Sequence, residues 1–143
     1  MKQQNYIKLE FPARSVNEGF ARAAAAAFAA QLDPTLEELG DVRTAVSEAV
    51  TNAIVHAYPD TLGTVVMRLR VLEGNVLEIV IKDKGCGIPD VPQAMEPMYS
   101  TGGEERSGMG FTIMQSFMDR LRVRSQPGKG TAVTMAKRIR ARG

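Results

Sequence analysis

"SEAVTNAIVHAY", which runs from Ser47 to Tyr58, places three polar residues at intervals of four in an otherwise apolar segment. The three are Glu48, Asn52 and His56, and residues four apart lie above one another on one face of an α-helix. The apolar residues beside them can cover the core-facing side of that helix: Val46, Ala49, Val50, Ala53 and Ile54. A polar stripe that faces solvent would explain the row by itself. The rest of the sequence decides between that explanation and a functional one.

The composition is that of an ordinary globular protein, and we expect the 143 residues (1–143) to form a single domain. The 18 basic and 16 acidic residues give a net charge of +2, which provides no general case for nucleic-acid binding. The lone Cys86 excludes an internal disulfide, and one Cys and one His cannot build a metal cluster. No apolar run approaches the roughly 20 residues that span a bilayer, and no leader pattern opens the chain. We therefore expect a cytoplasmic location without membrane contact.

The N-terminal part of the chain predicts one strand followed by one helix. Apolar and polar residues alternate over residues 7–11, which is typical of a strand with one buried face. Ser15 and Glu18 have the spacing of a capping box, which predicts a helix from there to about Gln31.

A second helix and a hairpin follow. Asp33-Pro34 fits an N-cap with proline at the first helical position, so the second helix begins there and ends before Pro59. Thr64–Leu72 and Val76–Asp83 are rich in β-forming residues and are joined by Glu-Gly-Asn, which predicts a β-hairpin.

The C-terminal half begins with a long irregular segment. Residues 84–110 contain six glycines and three prolines without clear periodicity, which is typical of a functional loop. Phe111–Met118 is predicted to be a helix, and Leu121–Ser125 with Thr131–Ile139 a closing hairpin. The predicted fold class is α/β, a two-layer sandwich with helices on one face of a mixed, largely antiparallel sheet.

Two glycine motifs stand in this half of the chain. "DKGCGIPD" follows an apolar strand, with Asp83 at the strand end and Gly85 and Gly87 permitting a tight turn and a close approach to a ligand. "RSGMGF" carries Gly108 and Gly110 directly before a helix, where free N–H groups attract phosphate. An ordinary turn remains an alternative for the first motif. Neither motif is a Gly-Lys-Ser/Thr phosphate loop or a dinucleotide fingerprint.

Taken together and in order, these motifs resemble the ATP-binding fold shared by gyrase B, Hsp90, histidine kinases and MutL. At closer range, "SEAVTNAIVHAY", "DKGCGIPD", "ERSGMGFTIMQSFMD" and "GKGT" resemble the sporulation anti-sigma factors of the stage II sporulation protein AB type. "ARSVNEGFAR" and "QLDPTLEEL" near the N-terminus strengthen this likeness. The resemblance covers nearly the whole chain.

The resemblance implies a serine kinase that also holds a sigma factor inactive, with ATP and Mg²⁺ as cofactors. Asn52 matches the Mg²⁺ ligand and Glu48 the proposed general base, so the row would hold a metal ligand and a base on one helix. Asp83 matches the acceptor of the adenine amino group, and Thr131 a hydroxyl in the same network. For His56 we favour packing or capping at the helix end.

Further nucleotide contacts are implied around the glycines. The implied residues are Gly85, Gly87, Ser107, Gly108, Met109, Gly110 and Phe111. Arg106 matches a catalytic residue placed to reach the γ-phosphate, where an arginine stabilises developing charge, although a solvated loop residue is the alternative. Gly102-Gly103 departs from the Lys-Pro common in relatives, so we expect a looser loop here.

Partner contacts are implied for Arg22, which matches a position that contacts both the sigma factor and the anti-anti-sigma factor; an ordinary solvated arginine is the alternative. The family also implies a homodimer. Two other functions stay open, a nucleotide-dependent sequestering module without kinase activity and the general-stress relative with the same chemistry. Retention of Glu48 favours the kinase, since sequestration has no use for a base.

Overall fold

The computed structural model describes residues 2–58, 61–96 and 110–140, and within them strands and helices follow the predicted order. The strands are β1 (Gln3–Pro12), β2 (Thr64–Leu72), β3 (Val76–Asp83), β4 (Arg120–Gln126) and β5 (Gly130–Arg138). The helices are α1 (Val16–Ala29), α2 (Leu36–Asn52), α3 (Val91–Ala94) and α4 (Gly110–Phe117). A 3₁₀ turn (Ala30–Leu32) extends α1, and a π-helical turn (Ala53–Ala57) extends α2.

The five strands form one sheet in the order β1-β2-β3-β5-β4, and each pairing is antiparallel. Alternate residues of the inner strands, such as Met67 and Leu69 on β2 or Ile79 and Ile81 on β3, are buried. They form one core with the apolar sides of α1, α2 and α4. The predicted α/β class with helices on one face is confirmed, although the described sheet contains no parallel pair that would make it mixed.

The start of α1 differs from the prediction in its cap. Ser15 already has helical dihedral angles and its side chain makes no capping bond, because a cap residue needs an extended backbone to reach the next turn. Glu18 instead accepts a hydrogen bond of 2.5 Å from the Ser47 hydroxyl on α2. The predicted capping box is therefore wrong, and its glutamate joins the two helices.

The start of α2 lies two residues later than predicted. Asp33 takes a left-handed conformation (φ 54°), so it ends the preceding turn and caps nothing. Thr35 is the N-cap: its hydroxyl accepts from the Glu38 N–H at 3.0 Å, and the Glu38 carboxylate accepts from the Thr35 N–H at 2.9 Å. The bond from the Thr35 N–H is the main cause that lowers the pKa of Glu38.

The remaining elements agree with the predictions to within a few residues. β2 and β3 have the predicted bounds, and α4 begins one residue earlier than expected. The long loop contains the short helix α3, which the sequence did not predict and which Asp90 caps. Within the described residues no helix is long and apolar enough to cross a membrane.

Candidate functional site

Glu48 and Asn52 lie one turn apart near the C-terminal end of α2, and both are half-buried. The apolar neighbours cover the core side as predicted: Val46, Ala49, Val50 and Ala53 are buried, and Ile54 packs against the core. Because the polar row is partly covered, it is not an ordinary stripe open to solvent.

The third member of the row, His56, lies in the π-helical turn that follows Asn52. A π-helical turn closes i→i+5 bonds, so it has more residues per turn than an α-helix. His56 is half-buried, like Glu48 and Asn52, and its place in one row with them stays a prediction. Its role in packing or capping stays a prediction.

The start of α4 lies against Glu48 and Asn52. A Cβ atom placed on Gly110 would be 3.2 Å from Asn52 Nδ2, 3.4 Å from Asn52 Oδ1 and 3.4 Å from Glu48 Oε2. Phe111, the next residue, is buried in the core and anchors the helix. The structure therefore brings three predicted site residues together, with the first residue of a helix facing a carboxylate and an amide.

The Asp-Lys-Gly-Cys-Gly turn is held against the end of the π-helical turn. The Cys86 N–H donates to the Ala57 carbonyl at 2.9 Å, and a Cβ on Gly85 would lie 2.1 Å from that same oxygen. No side chain fits such an approach of two backbones, so Gly85 is required here whether or not a ligand binds.

The other side of the turn is held by the β4–β5 hairpin. The Gly128 N–H donates to the Cys86 carbonyl at 2.7 Å. Gly87 has φ +76°, and a Cβ there would lie 2.2 Å from the Gln126 carbonyl oxygen. Gly130 has φ +109°, and its Cβ would lie 2.2 Å from the Asp83 carbonyl oxygen. The motif is therefore more than a surface turn, because it joins helix, strand and hairpin.

Asp83 ends β3 at the centre of this arrangement. Its Oδ1 accepts from the Gly85 N–H at 3.0 Å and from the Thr131 N–H at 3.2 Å. Burial raises the pKa of the Asp83 carboxyl, and these two hydrogen bonds partly oppose the rise. Among the described residues no donor is recorded for Oδ2, which leaves an acceptor for a ligand at a half-buried position.

Thr131 lies beside Asp83, but its hydroxyl already has a protein partner. Thr131 Oγ1 is 2.7 Å from Ser125 Oγ, which also accepts from the Ile88 N–H at 2.7 Å and lies 3.0 Å from the Gly130 carbonyl. Sequence reasoning missed Ser125. Its signal was weak, because a single serine on a strand of alternating arginines looks like any polar edge residue.

Tyr58 is the second residue that the sequence did not identify. Its hydroxyl accepts from the Lys84 N–H at 2.7 Å and donates to the Thr64 carbonyl at 2.8 Å. Tyr58, the last residue of the quoted segment, therefore holds the backbone of Lys84, the residue next to Asp83. The available signal was a tyrosine directly after the helix that carries Glu48 and Asn52.

A groove runs between α1 and α2 and ends at Glu48. Small residues line its floor, and Arg22, Arg43 and Glu48 stand along it. Arg22 Nη1 is 3.8 Å from the Glu18 carboxylate, which accepts a hydrogen bond from Ser47, the residue next to Glu48. The predicted partner contact and the predicted base thus share one surface.

The other predicted site residues lie outside the described residues. They are Arg106, Ser107, Gly108 and Met109. Their assignments remain predictions, as does the looser loop expected from Gly102-Gly103.

Comparisons with known proteins show to which family the chain belongs. The histidine kinase-like ATPase domain family matches residues 11–137. An anti-sigma F factor of Caldanaerobacter subterraneus is 54% identical over 140 residues, which is 97% of each chain. Those of Clostridium acetobutylicum and Geobacillus kaustophilus are 52% and 50% identical over 137 residues; these alignments cover 95% of this chain and 95% and 94% of the relatives.

Solved structures support the fold. The RsbU and RsbW domains of a Mycobacterium tuberculosis protein match with a TM-score of 0.69 at 16% identity, covering 95% of this chain and 32% of that one. A blue-light activated histidine kinase domain of Erythrobacter litoralis matches with a TM-score of 0.59 at 25% identity, covering 85% and 61%. With the relatives matched along almost their whole length, the chain belongs to the anti-sigma F factor family, within the histidine kinase-like ATPase domains.

Proposed function

We propose that this anti-sigma factor is also a serine kinase that transfers the terminal phosphoryl group of Mg-ATP to its anti-anti-sigma factor. The observation that carries the proposal is the meeting of Glu48, Asn52 and Gly110 at the start of α4. A carboxylate and an amide beside a helix N-terminus supply a base, a neutral oxygen ligand and N–H donors in one place.

The described residues fit an adenine nucleotide at the other end of the site. Asp83 Oδ2 has no recorded donor among them, and the carboxylate is held in place through Oδ1. An exocyclic amino group can donate to this oxygen, whereas the oxygen that guanine presents would leave it unpaired at a cost of roughly 1–3 kcal/mol. The Asp83 side chain therefore favours adenine.

The donor set near Asn52 suits a cation that arrives with phosphate. Among the described residues no group of three His, Cys, Asp or Glu side chains could hold a metal ion by itself. The Asn52 amide oxygen offers one neutral ligand, and Mg²⁺ commonly takes most of its ligands from phosphates and water. We assign Asn52 as the protein ligand to Mg²⁺.

Glu48 acts as the general base in this proposal. Bound Mg-ATP supplies the phosphoryl group, and the Glu48 carboxylate accepts the proton of the attacking serine hydroxyl. Glu48 stands at the end of the α1–α2 groove, so a protein lying along Arg22 and Arg43 would present its serine to the base. We propose this groove as the docking surface of the anti-anti-sigma factor, with Arg22 also contacting the sigma factor.

We also infer that the active species is a cytoplasmic homodimer that contacts neither nucleic acid nor membrane directly. The family implies the dimer. Sedimentation at micromolar concentration should give twice the mass of 15.5 kDa, and a monomer under those conditions would remove this part of the proposal.

The test compares Glu48→Gln with Asn52→Ala in single-turnover transfer from labelled Mg-ATP to an anti-anti-sigma protein. Glu48→Gln keeps the size of the side chain but cannot take the proton, so transfer should fall by about 10²–10⁴-fold while ATP affinity stays within about two-fold. Asn52→Ala should weaken Mg-ATP binding itself.

Glu37→Gln is the matched control, since it removes the same charge at an exposed position in the first turn of α2. Its transfer rate should equal that of the wild type. Wild-type transfer by Glu48→Gln would contradict the base assignment. Undetectable transfer by the wild type, with sigma still held in the presence of ATP, would favour the sequestering module. Binding of a general-stress sigma factor in preference to a sporulation one would favour the general-stress relative.

A further inference from the structure

The sheet face that turns away from the helices has an unusual charge. The strand registers place three rows of cross-strand partners on this face, and each row has one residue from each of the five strands. Seven of these fifteen residues are basic and two, Glu10 and Glu78, are acidic. The face thus carries an excess of five positive charges, although the whole chain carries an excess of only two.

The positive charge is concentrated at one edge. Arg120, Arg122 and Arg124 project from this face of β4, and all three are exposed. Their cross-strand neighbours on β5 are Ala136, Thr134 and Ala132, which are too short to cover the guanidinium groups. Within the described part of the chain none of the three arginines lies within salt-bridge distance of a carboxylate.

β4 is also an edge strand of the described sheet, with α3 in contact with part of it. Within the described residues it pairs with β5 alone, so its outer N–H and C=O groups have no recorded backbone partner there. An extended polypeptide can add to such an edge through main-chain hydrogen bonds. Its alternate side chains would repeat at roughly 6.8 Å, which is also the spacing of Arg120, Arg122 and Arg124.

We propose that β4 is a docking edge for an extended acidic segment of a partner protein, with carboxylates at alternate positions opposite Arg120, Arg122 and Arg124. The residues between these carboxylates would face Leu121 and Val123, which are partly buried against the core, so small apolar or β-branched residues are expected there. Arginine forms bidentate pairs with carboxylates, and cross-strand opposite charges stabilise pairing. This docking site is independent of the kinase assignment.

Other occupants fit the edge less well. A second copy paired through β4 would set arginine against arginine. Single-stranded nucleic acid requires aromatic platforms, and the only ring among the fifteen positions is Tyr6, on β1 at the far edge. An anionic membrane would engage the whole face, so it would depend on Arg68 as much as on Arg122.

The experiment titrates the isotopically labelled full chain with a seven-residue peptide of alternating Glu and Val or Thr, and follows backbone amide signals. We expect saturable shifts confined to β4 and its neighbours. Arg122→Glu should weaken binding at least ten-fold, and a peptide N-methylated at alternate amides should lose binding to a similar degree. Arg14→Glu makes the same charge change on an exposed residue between β1 and α1 and should cost less than three-fold.

Three results would overturn the proposal. The first is equal binding by a peptide of the same composition with its glutamates contiguous. The second is an Arg68→Glu variant as damaged as Arg122→Glu, which would indicate a general charge effect of the face. The third is binding of phosphatidylserine vesicles or poly(U) that is as tight as binding of the alternating peptide and is weakened as much by Arg122→Glu. Because Arg122 is exposed, Arg122→Glu should keep the unfolding midpoint of the wild type. If the variant is less stable than the wild type, the N-methylated peptide still tests the edge on the unchanged protein.

Discussion

The two ends of the candidate site differ in their contacts. At the Asp83 end, glycines lie against backbone carbonyl groups, whereas at the Glu48 end, side chains of α2 contact the first residue of α4. Carbonyl oxygens of Ala57 and Asp83 lie within 2.2 Å of where a Cβ on Gly85 or Gly130 would stand. Near Gly110 the corresponding neighbours are the ends of side chains at 3.2–3.4 Å. Side-chain ends can move by tenths of an ångström, but a hydrogen-bonded backbone cannot.

One end of the site therefore holds residues that the fold requires, and the other end holds residues assigned to the reaction. The Asp83 end is part of the scaffold, so its residues are needed for the sheet, hairpin and helix end to fit together. At the Glu48 end the contacts are made by side-chain ends that project from the scaffold, so these residues can be changed while the fold persists. Substitutions of the glycines at the first end should therefore act on stability, and substitutions at the second end on activity.

The largest effect is expected for Gly130→Ala. Its φ of +109° and the Asp83 carbonyl oxygen at 2.2 Å leave no place for a methyl group. We expect the free energy of unfolding to fall by about 3 kcal/mol, measured by urea denaturation followed by circular dichroism.

Gly128→Ala is the matched control on the same turn. It also has a positive φ, +76°, but no atom lies within 4 Å of the added Cβ. It should cost about 1–2 kcal/mol for the left-handed conformation alone. Equal losses of unfolding free energy in the two variants would show that the positive φ, and not the close contact, sets the cost. That result would weaken the comparison between the two ends of the site.

The second effect is a loss of nucleotide affinity in Asp83→Asn. The asparagine Oδ1 can accept the same two N–H groups, so the fold is kept, but an NH₂ group replaces the oxygen assigned to the adenine amino group. ATP affinity should fall by at least about ten-fold, consistent with a lost acceptor worth roughly 1–3 kcal/mol.

GTP provides the control for this variant, because guanine presents an oxygen that the new NH₂ group can meet. The ratio of ATP to GTP affinity, measured by calorimetry, should therefore shift toward GTP. An unchanged ratio would mean that Asp83 does not read the base.

The order of elements could be predicted from sequence because hydrophobic period and turn residues are local. The alternation in β1 and the apolar runs of β2 and β3 needed no tertiary information. The helix caps could not be predicted as well: Ser15 and Asp33 have suitable side chains, but their backbone angles depend on how the preceding chain packs. Thr35 takes the role assigned to Asp33.

The candidate site was predictable in its residue types and not in its contacts. The spacing of Glu48 and Asn52 placed them on one face, and the structure adds that Gly110 lies against both. Ser125 and Tyr58 were not identified because the hydrogen bonds that they accept from Ile88 and Lys84 join segments that are far apart in sequence. The π-helical turn was not predicted either; its last residue, Ala57, accepts a hydrogen bond from Cys86, which is 29 positions later in the chain.

A smaller effect is expected for Gly110→Ala, which makes the same chemical change as Gly130→Ala at the other end of the site. Alanine is tolerated at a helix start, so the unfolding midpoint should hold or rise. The added methyl group would press on Asn52 and Glu48, and phosphoryl transfer should fall by about ten-fold through misplacement. Ser116→Ala, at an exposed position of α4, should leave both quantities unchanged. Loss of folding in Gly110→Ala would place this end in the scaffold as well.

The smallest effect concerns the pH dependence of stability at Asp83. Burial raises the pKa of this carboxyl, so its ionised form carries a cost in the folded chain. A raised folded pKa means that the favourable contribution is complete below the unfolded pKa and is lost as the pH rises through the folded value. Asp83→Asn removes the ionisation, so the variant should be the more stable of the two at pH 7. That advantage should shrink as the pH falls toward and below the ordinary range for aspartate, where the wild type also becomes neutral.

Comparing the two proteins at each pH cancels the opposite trend expected from Glu38, whose pKa is lowered. Asp33→Asn, at an exposed position, should show a difference that does not change with pH. If the stability difference between Asp83→Asn and the wild type is also constant with pH, burial does not destabilise the ionised carboxyl. The Asp83 end would then tolerate charge as freely as an exposed turn, and its oxygen would have no need of a nucleotide donor.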